Sequence, residues 1–259
     1  GDTIGQSLRF FGNNKLSRNL QSGFGSFSST ATLSLWIKFD NQLSDSTSTH
    51  IWRGDNIGAT GGDRSLQIKR EGNISVTATG NTSPTPSTAR LRDVAAWYHL
   101  MIIADSSEVK LYANGNLIFT NSSGWSAGTN SFSDEMKFEC INEDGNSIEY
   151  YLAEVNFLDG TKATVGTDFG KLNNNGIWVP VTPSFTAAQY GTNGFRLQFN
   201  DSSNLGDDSA PIGASGHTVA RDFTASGFNT TAISSSNIDN DINFDDTPNN
   251  NYCVLNTNL

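Results

Sequence analysis

The sequence predicts an all-β protein, an antiparallel β-sandwich followed by an irregular, polar extension. Apolar and polar residues alternate in short blocks, and a period of two is that of a half-buried strand. Gly, Ser, Thr and Asn are abundant, and these residues form the turns that join short strands. Charged residues are only 16% and hydrophobic residues 36% of the 259 residues. The block pattern therefore indicates the fold more clearly than the composition does.

Strand signals dominate the chain up to residue 160. In order, the segments are SLRFFG, TLSLWIKFD, RSLQIKREGNISVTATG, WYHLMIIAD, EVKLYANGNLIFT, MKFECI and YYLAEVNFLDG. They predict about nine or ten strands, and hairpin turns at this density are typical of a sandwich. No amphipathic helix is predicted in this part of the chain.

Several segments predict which side chains face the core. In TLSLWIKFD the odd-numbered residues of 33–39 face one way and the even-numbered residues the other, which predicts a half-buried strand. WYHLMIIAD is apolar on both faces, so we expect a central strand covered on two sides. EVKLYANGNLIFT turns at Asn114-Gly115, the preferred dipeptide of a type I′ hairpin. For YYLAEVNFLDG, the residues predicted to face inward are Tyr151, Ala153, Val155 and Phe157.

The pattern changes after Gly160. Residues 161–200 read as an extended segment with one or two strands that packs on the sandwich of residues 1–160. Pro180 and Pro183 limit the run GIWVPVTP to an edge or extended segment, and FRLQFND is a further strand. Residues 201–259 are polar and mostly irregular, too poor in apolar residues to fold alone. The isolated Phe223, Phe228 and Phe244 are predicted anchors on the sandwich or on a neighbouring subunit.

The charge and the scattered basic residues exclude some classes of function. A net charge of −10 argues against nucleic acid as a partner, because phosphate binding needs a clustered basic face. No apolar run is long enough for a membrane span, and the opening residues do not have the pattern of a signal peptide.

Cys140 and Cys253 lie far apart, and Cys140 is expected to be a reduced core cysteine. The histidines are too separated for a zinc site, and His99 is expected to be structural.

The order of these strands resembles the laminin G-like branch of the concanavalin A-type jelly roll, over roughly residues 6–160. The matching positions are Trp97, His99, Asn114, Gly115, Ala153 and Val155. The resemblance implies a jelly-roll sandwich that acts as a binding or assembly module rather than as an enzyme.

The second half resembles structural proteins of tailed bacteriophages, especially marine ones. The matching phrases are DFGKLNNNGIWVP, YGTNGFRLQFND and DDTPNNNYCVLN. This resemblance implies a virion protein: a tail fibre, appendage or capsid-associated subunit, assembled in the host cytoplasm. Its partners would be other virion subunits, a homotrimer being the expected state, and a host-surface glycan. Neither nucleic acid nor membrane insertion is expected.

Candidate binding residues follow from the laminin G-like resemblance and from loop composition. Such domains often hold one Ca²⁺ at the sandwich rim through loop oxygen atoms; no other cofactor is expected. The calcium candidates are Asp55, Asp63, Asp105 and Asp144. Because aromatic side chains in loops can stack on sugars, Trp52 and Trp125 are the glycan-binding candidates, although Trp125 is also suited to covering the core.

Two alternative functions remain open at this point. One is a free-standing carbohydrate-binding lectin module. The other is a jelly-roll glycoside hydrolase, whose strand would carry Glu-x-Asp-x-(x)-Glu to bring two carboxylates together. The nearest run, Glu143-Asp144 with Glu149, straddles an apparent turn, and Glu135 and Glu139 have no Asp between them. No catalytic residue is therefore predicted.

Overall fold

The computed structural model describes residues 3–19, 26–39, 49–54, 64–68, 72–77, 87–128, 135–140, 148–228 and 246–249. Within these ranges the chain forms short antiparallel strands and one turn of helix. The strands up to residue 160 are β1 (Leu8–Phe10), β2 (Lys15–Asn19), β3 (Ala31–Phe39), β4 (Thr49–Gly54), β5 (Arg64–Ile68), β6 (Ile74–Thr77), β7 (Tyr98–Ala104), β8 (Val109–Ala113), β9 (Asn116–Asn121), β10 (Glu135–Glu139) and β11 (Tyr150–Asp159). They are followed by β12 (Gly170–Leu172), β13 (Trp178–Pro180), α1 (Ala187–Tyr190), β14 (Phe195–Leu197) and β15 (Thr224–Ser226).

Two antiparallel sheets face each other across the main core. One has seven strands, in the order β1-β11-β3-β7-β8-β9 with β14 also paired to β11. The other has six strands, in the order β15-β2-β10-β4-β5-β6, and β12 and β13 form a separate pair. The predicted antiparallel sandwich is confirmed. No helix in the described ranges is long and apolar enough to cross a membrane.

The hairpins predicted from the sequence are present. Asn114 and Gly115 both have positive φ, 47° and 77°, as a type I′ turn requires. Gly115 is also needed for space, because a Cβ atom there would lie 2.4 Å from the Trp178 ring. β5 pairs with β6 in the predicted hairpin, with Ile68 opposite Ile74.

The central strands β3 and β11 of the seven-stranded sheet are buried on both faces. The odd-numbered residues of 33–39 face the main core as predicted. The other face of β3 is also covered, because Ser34, Trp36 and Lys38 are only 1%, 3% and 6% exposed. Two further apolar clusters lie on this outer face, and residues from 161–217 contribute to both of them or pack against them. The prediction that β3 is half-buried is therefore wrong, since the later part of the chain forms a third layer.

A β-bulge in β11 changes which side chains face the core. The register with β3 shifts between Ala153 and Asn156, and Glu154 has a φ of 47°. Val155 faces the main core as predicted, but Tyr151 and Ala153 lie in the outer cluster. The prediction was wrong for these two residues because a bulge reverses the alternation.

Residues beyond 160 belong to the same sandwich. β14 adds to the seven-stranded sheet beside β11, and β15 adds to the six-stranded sheet beside β2. Phe223 is 2% exposed in the main core, and Phe228 packs edge-on against Phe10 at 5.3 Å between ring centroids. These two predicted anchors therefore bind the sandwich of their own chain, whereas Phe244 lies outside the described residues. Strands β14 and β15 therefore extend the two sheets of the sandwich.

Replacing Phe223 tests whether residues beyond 200 stabilise the sandwich. Its ring lies 4.9 Å from that of Phe195 and 5.7 Å from that of Phe138. We expect Phe223→Ala to lower the free energy of unfolding by about 3–5 kcal/mol, the usual cost of such a cavity. Chemical denaturation followed by tryptophan fluorescence measures this. Val219→Ala, at a site 49% exposed, is the control and should change stability by less than about 0.5 kcal/mol.

Candidate functional site

The outer face of the six-stranded sheet carries a row of polar side chains. The register places Ser17, Lys137, Arg53, Ser65 and Thr77 side by side across five neighbouring strands. The first three are half-buried, while the last two are buried. The accessible part of this face therefore lies over β2, β10 and β4.

Charged side chains on this face form a ladder along β10. Lys137 Nζ lies 3.8 Å from a carboxylate oxygen of Glu135 and 3.6 Å from one of Glu139. Lys15 Nζ lies 3.9 Å from Glu135. Partly exposed pairs of this kind contribute little to stability, typically about 0–1 kcal/mol. The ladder arranges alternating charges along the strand.

Neutral hydrogen-bonding groups continue the face across β4 and β5. The Gln67 amide nitrogen lies 2.9 Å from His50 Nε2 and donates to Ser65 Oγ at 3.0 Å. The Ser65 and Thr77 hydroxyl oxygens are 2.8 Å apart. We define the sheet-face site as the following half-buried residues: Lys15, Ser17, His50, Arg53, Gln67, Glu135, Lys137 and Glu139.

The sheet-face site was missed at the level of sequence. Its residues occupy polar positions of KLSRN, THIWRG, RSLQI and EMKFE. The first two segments were not predicted as strands, and in the other two the alternation shows only that these residues face outward. These residues form one row only because their strands pair. The pairing of β2 with β10 joins segments that are far apart in the chain, so no local sequence pattern predicts it.

The predicted glycan-stacking residues lie inside the protein. Trp52 and Trp125 have no exposed surface, and their rings pack against each other at 6.1 Å. Trp125 Nε1 donates to the carbonyl of Thr77 at 3.1 Å, and the Arg64 guanidinium lies over its ring at 4.7 Å. The prediction of an exposed, sugar-stacking Trp52 is therefore wrong, because its large apolar area is buried in the core. Trp125 takes the core-covering position that the sequence leaves open as its alternative.

Of the calcium candidates, only Asp105 lies in the described residues. Its carboxylate accepts hydrogen bonds from the backbone of Ser107 at 2.7 Å and of Glu108 at 3.0 Å, and it pairs with Lys162. The bonds from Lys162 and then from Ser107 hold the pKa of this carboxyl well below its usual range. These contacts are those of an Asp that stabilises a turn.

The other calcium candidates, Asp55, Asp63 and Asp144, lie outside the described residues. Within the described ranges, no three His, Cys, Asp or Glu side chains group together in a way that could hold a metal ion.

The carboxylates considered for hydrolysis do not form a catalytic pair in the described structure. Glu135 and Glu139 do lie on the same face of β10, but Lys137 occupies the space between them. Glu149 pairs with Arg9 at 3.3 Å. Glu143 and Asp144 are outside the described residues.

His99 has the structural role expected of it. Trp178 Nε1 donates to His99 Nδ1 at 3.2 Å, so the ring proton is on Nε2, which lies 2.8 Å from Ser34 Oγ. The ring also stacks against Trp178 and packs on Trp36. Burial lowers the pKa of His99 to about 3, which keeps the imidazole neutral.

Cys140 is a free, buried thiol, as predicted. Burial raises its pKa to about 12, so the nucleophilic thiolate is disfavoured at neutral pH. Cys253 lies outside the described residues.

The sequence matches a laminin G family model, described as the Concanavalin A-like lectin/glucanases superfamily, over residues 13–149. This match covers more than half of the chain. The chain belongs to this family. A search of curated protein sequences finds no match.

Solved structures share the fold at low sequence identity. A candidate carbohydrate-binding protein from Bacteroides ovatus is 16% identical with a TM-score of 0.57, covering 87% of this chain and 59% of its own. A heptameric pentraxin from Limulus polyphemus is 14% identical with a TM-score of 0.45, covering 64% of this chain and 81% of its own. A structure of botulinum neurotoxin type C is 16% identical with a TM-score of 0.43. The match covers 61% of this chain and 39% of the neurotoxin chain. The likeness to the Bacteroides protein supports the concanavalin A-like fold.

The neutral state of His99 predicts a pH dependence of stability. Its pKa is lowered from 6.5 to about 3 in the folded protein, so between these values the unfolded chain binds a proton that the folded chain does not. His99 therefore contributes stability that is complete above about pH 6.5 and is lost as pH falls. His99→Gln should reduce the slope of unfolding free energy against pH in this interval by up to about 1.4 kcal/mol per unit. Urea denaturation at several pH values measures the slope; an unchanged slope would show that His99 is not held neutral.

Proposed function

We propose that this protein is a non-enzymatic binding module of the lectin type and that the sheet-face site is its glycan-binding surface. One observation carries the proposal. Residues from 161–217 help to cover the outer face of the seven-stranded sheet, whereas the described side chains over β2, β10 and β4 form a polar, half-buried row.

The chemistry of the sheet-face site suits a saccharide. Vicinal hydroxyl groups both donate and accept hydrogen bonds, and the face offers donors on Lys137 and Arg53, acceptors on Glu135 and Glu139, and the amide of Gln67, which does both. Hydrogen bonds to charged groups are about twice as strong as neutral ones. The strands fix the spacing of the backbone positions that carry these groups.

A binding role is preferred to hydrolysis because of the place of Lys137. Glycosidases need two carboxyl groups that flank the glycosidic oxygen. Here the Lys137 ammonium lies within 4 Å of the carboxylates of Glu135 and Glu139. It therefore fills the space between them that the reacting oxygen would need. The hydrolase alternative is tested by incubation with polysaccharides, comparing the wild-type protein with Glu143→Gln and Glu149→Gln. Release of sugar that either variant abolishes would contradict the non-enzymatic proposal.

The biological setting that we propose is the virion of a tailed bacteriophage, as a fibre, appendage or capsid-associated subunit. This rests on the resemblance of the phrases in residues 168–180, 190–201 and 245–256 to phage structural proteins. In this setting the sandwich would face the host glycan and its neighbours would be virion subunits.

Binding should depend on the central cations of the sheet-face site. We expect Arg53→Gln and Lys137→Gln each to weaken glycan binding about tenfold or more, because each removes a charge-assisted hydrogen bond worth about 1.5–3 kcal/mol. A glycan array with fluorescent protein selects the saccharide, and calorimetry measures the affinity. Lys171→Gln, on the far side of the molecule in β12 and exposed, is the matched control. Glycan binding that both site variants retain would place the ligand elsewhere.

The assembly part of the proposal predicts a homotrimer. Light scattering coupled to size-exclusion chromatography gives the mass in solution directly. A monomer that still binds a glycan would instead support the free-standing lectin alternative.

A further inference from the structure

We propose that Lys38 and Asp246 condense to an intramolecular isopeptide bond, which joins strand β3 covalently to the segment 246–249. Lys38 Nζ lies 2.7 Å from Asp246 Oδ2, and the two residues are 208 positions apart in the chain. Their side chains are only 7% and 2% exposed. The reacting groups are therefore held in contact and away from water.

The surroundings of this pair are aromatic. Tyr151 is the cross-strand neighbour of Lys38, and the indole nitrogen of Trp97 contacts the Asp246 carboxylate. Both aromatic side chains belong to the apolar cluster on the outer face of the seven-stranded sheet. Removing two opposite charges from water costs much free energy. Burying a neutral amide costs much less. Condensation thus exchanges two buried charges for one buried amide.

Further contacts orient the carboxyl group for attack. Trp97 Nε1 donates to Asp246 Oδ1 at 3.0 Å, and this is the oxygen that becomes the amide carbonyl. A donor at this position stabilises the negative charge of the tetrahedral intermediate. Ser7 Oγ donates to the backbone carbonyl of Asp246 at 2.7 Å, and the Ile4 amide donates to Asn249 Oδ1 at 2.8 Å. Fixing two reactants in this way raises their effective concentration by orders of magnitude.

The reaction is balanced without any other reactant. A proton first passes from Lys38 Nζ to Asp246 Oδ2 across their hydrogen bond, which gives an amine and a carboxylic acid. The nitrogen lone pair then attacks Cγ, and the N–Cγ bond forms as the Cγ–Oδ2 bond breaks. Oδ2 leaves as water with the proton it received and a second proton from the nitrogen. Nothing is oxidised or reduced.

The molecule contains an internal control. Lys162 and Asp105 form a pair of the same two residue types, but their side chains are 45% and 22% exposed. Because these two side chains remain partly hydrated, their charges carry a smaller desolvation cost than those of the buried pair. We expect this pair to remain an ordinary ion pair.

Mass spectrometry of the purified full chain tests the proposal. After incubation at neutral pH, the intact mass should be lower than the sequence mass by one water molecule. A tryptic digest should contain one branched peptide that links Lys38 to Asp246, with no cleavage after Lys38, while the peptides of Asp105 and Lys162 stay unlinked. Lys38→Arg keeps the positive charge but cannot form this amide, and Asp246→Ala removes the acyl group. Both variants should show their full sequence masses.

Two results would overturn the proposal. One is a wild-type chain that keeps its full mass after prolonged incubation, which would leave the pair a buried salt bridge. The other is a loss of water that tandem spectra place elsewhere, for example as a succinimide at Asp159-Gly160. Since both readouts use the wild-type chain, they do not depend on the folding of any variant, nor on the glycan-binding proposal.

Discussion

The seven-stranded sheet has apolar side chains on both of its faces, and most of the architecture follows from the need to cover the second face. Every residue of β3 and β11 is buried. The main core accounts for one face only; the other face presents residues such as Trp36, Met101 and Leu158. Exposing them would forfeit a large apolar area, at about 25 cal/mol for each Å². The chain beyond residue 160 supplies the cover, and this explains why so polar a segment is folded.

Buried charges fix the position of this later segment. Arg18, on the inward face of β2, donates to the carbonyl of Asn193 at 2.7 Å and to that of Arg221 at 3.0 Å. Its guanidinium lies over the rings of Phe195 and Phe223, and burial lowers its pKa to about 9. A buried cation of this kind is costly unless its partners are correctly placed, so it favours one arrangement of the extension over looser ones.

Because residues beyond 160 cover the seven-stranded sheet, the outer faces of the two sheets differ in their surroundings. The outer face of the seven-stranded sheet is packed and holds the Lys38–Asp246 pair. The six-stranded sheet presents the sheet-face site, whose strand β10 has the spacing Glu135, Lys137, Glu139. The glucanase-type strand would have an acid at the middle position, where this chain has Lys137. Its cross-strand neighbour Arg53 extends the same polar row.

The sequence by itself determined most strands of the sandwich, the inward face of β3 and the hairpin at Asn114-Gly115, because these depend on local alternation and turn chemistry. Strands β2 and β4 were not predicted. The sequence also indicated the structural roles of His99 and Cys140, because both lie in segments rich in apolar residues. Tertiary structure decided what depends on contacts between distant residues. The β11 bulge turned Tyr151 outward, the later segment buried Trp36, and packing placed Trp52 in the core rather than in an exposed loop. The sheet-face site exists only through register, since strand pairing alone brings Arg53 beside Lys137. Local sequence reports which way a side chain faces, but only the folded chain decides what lies opposite it.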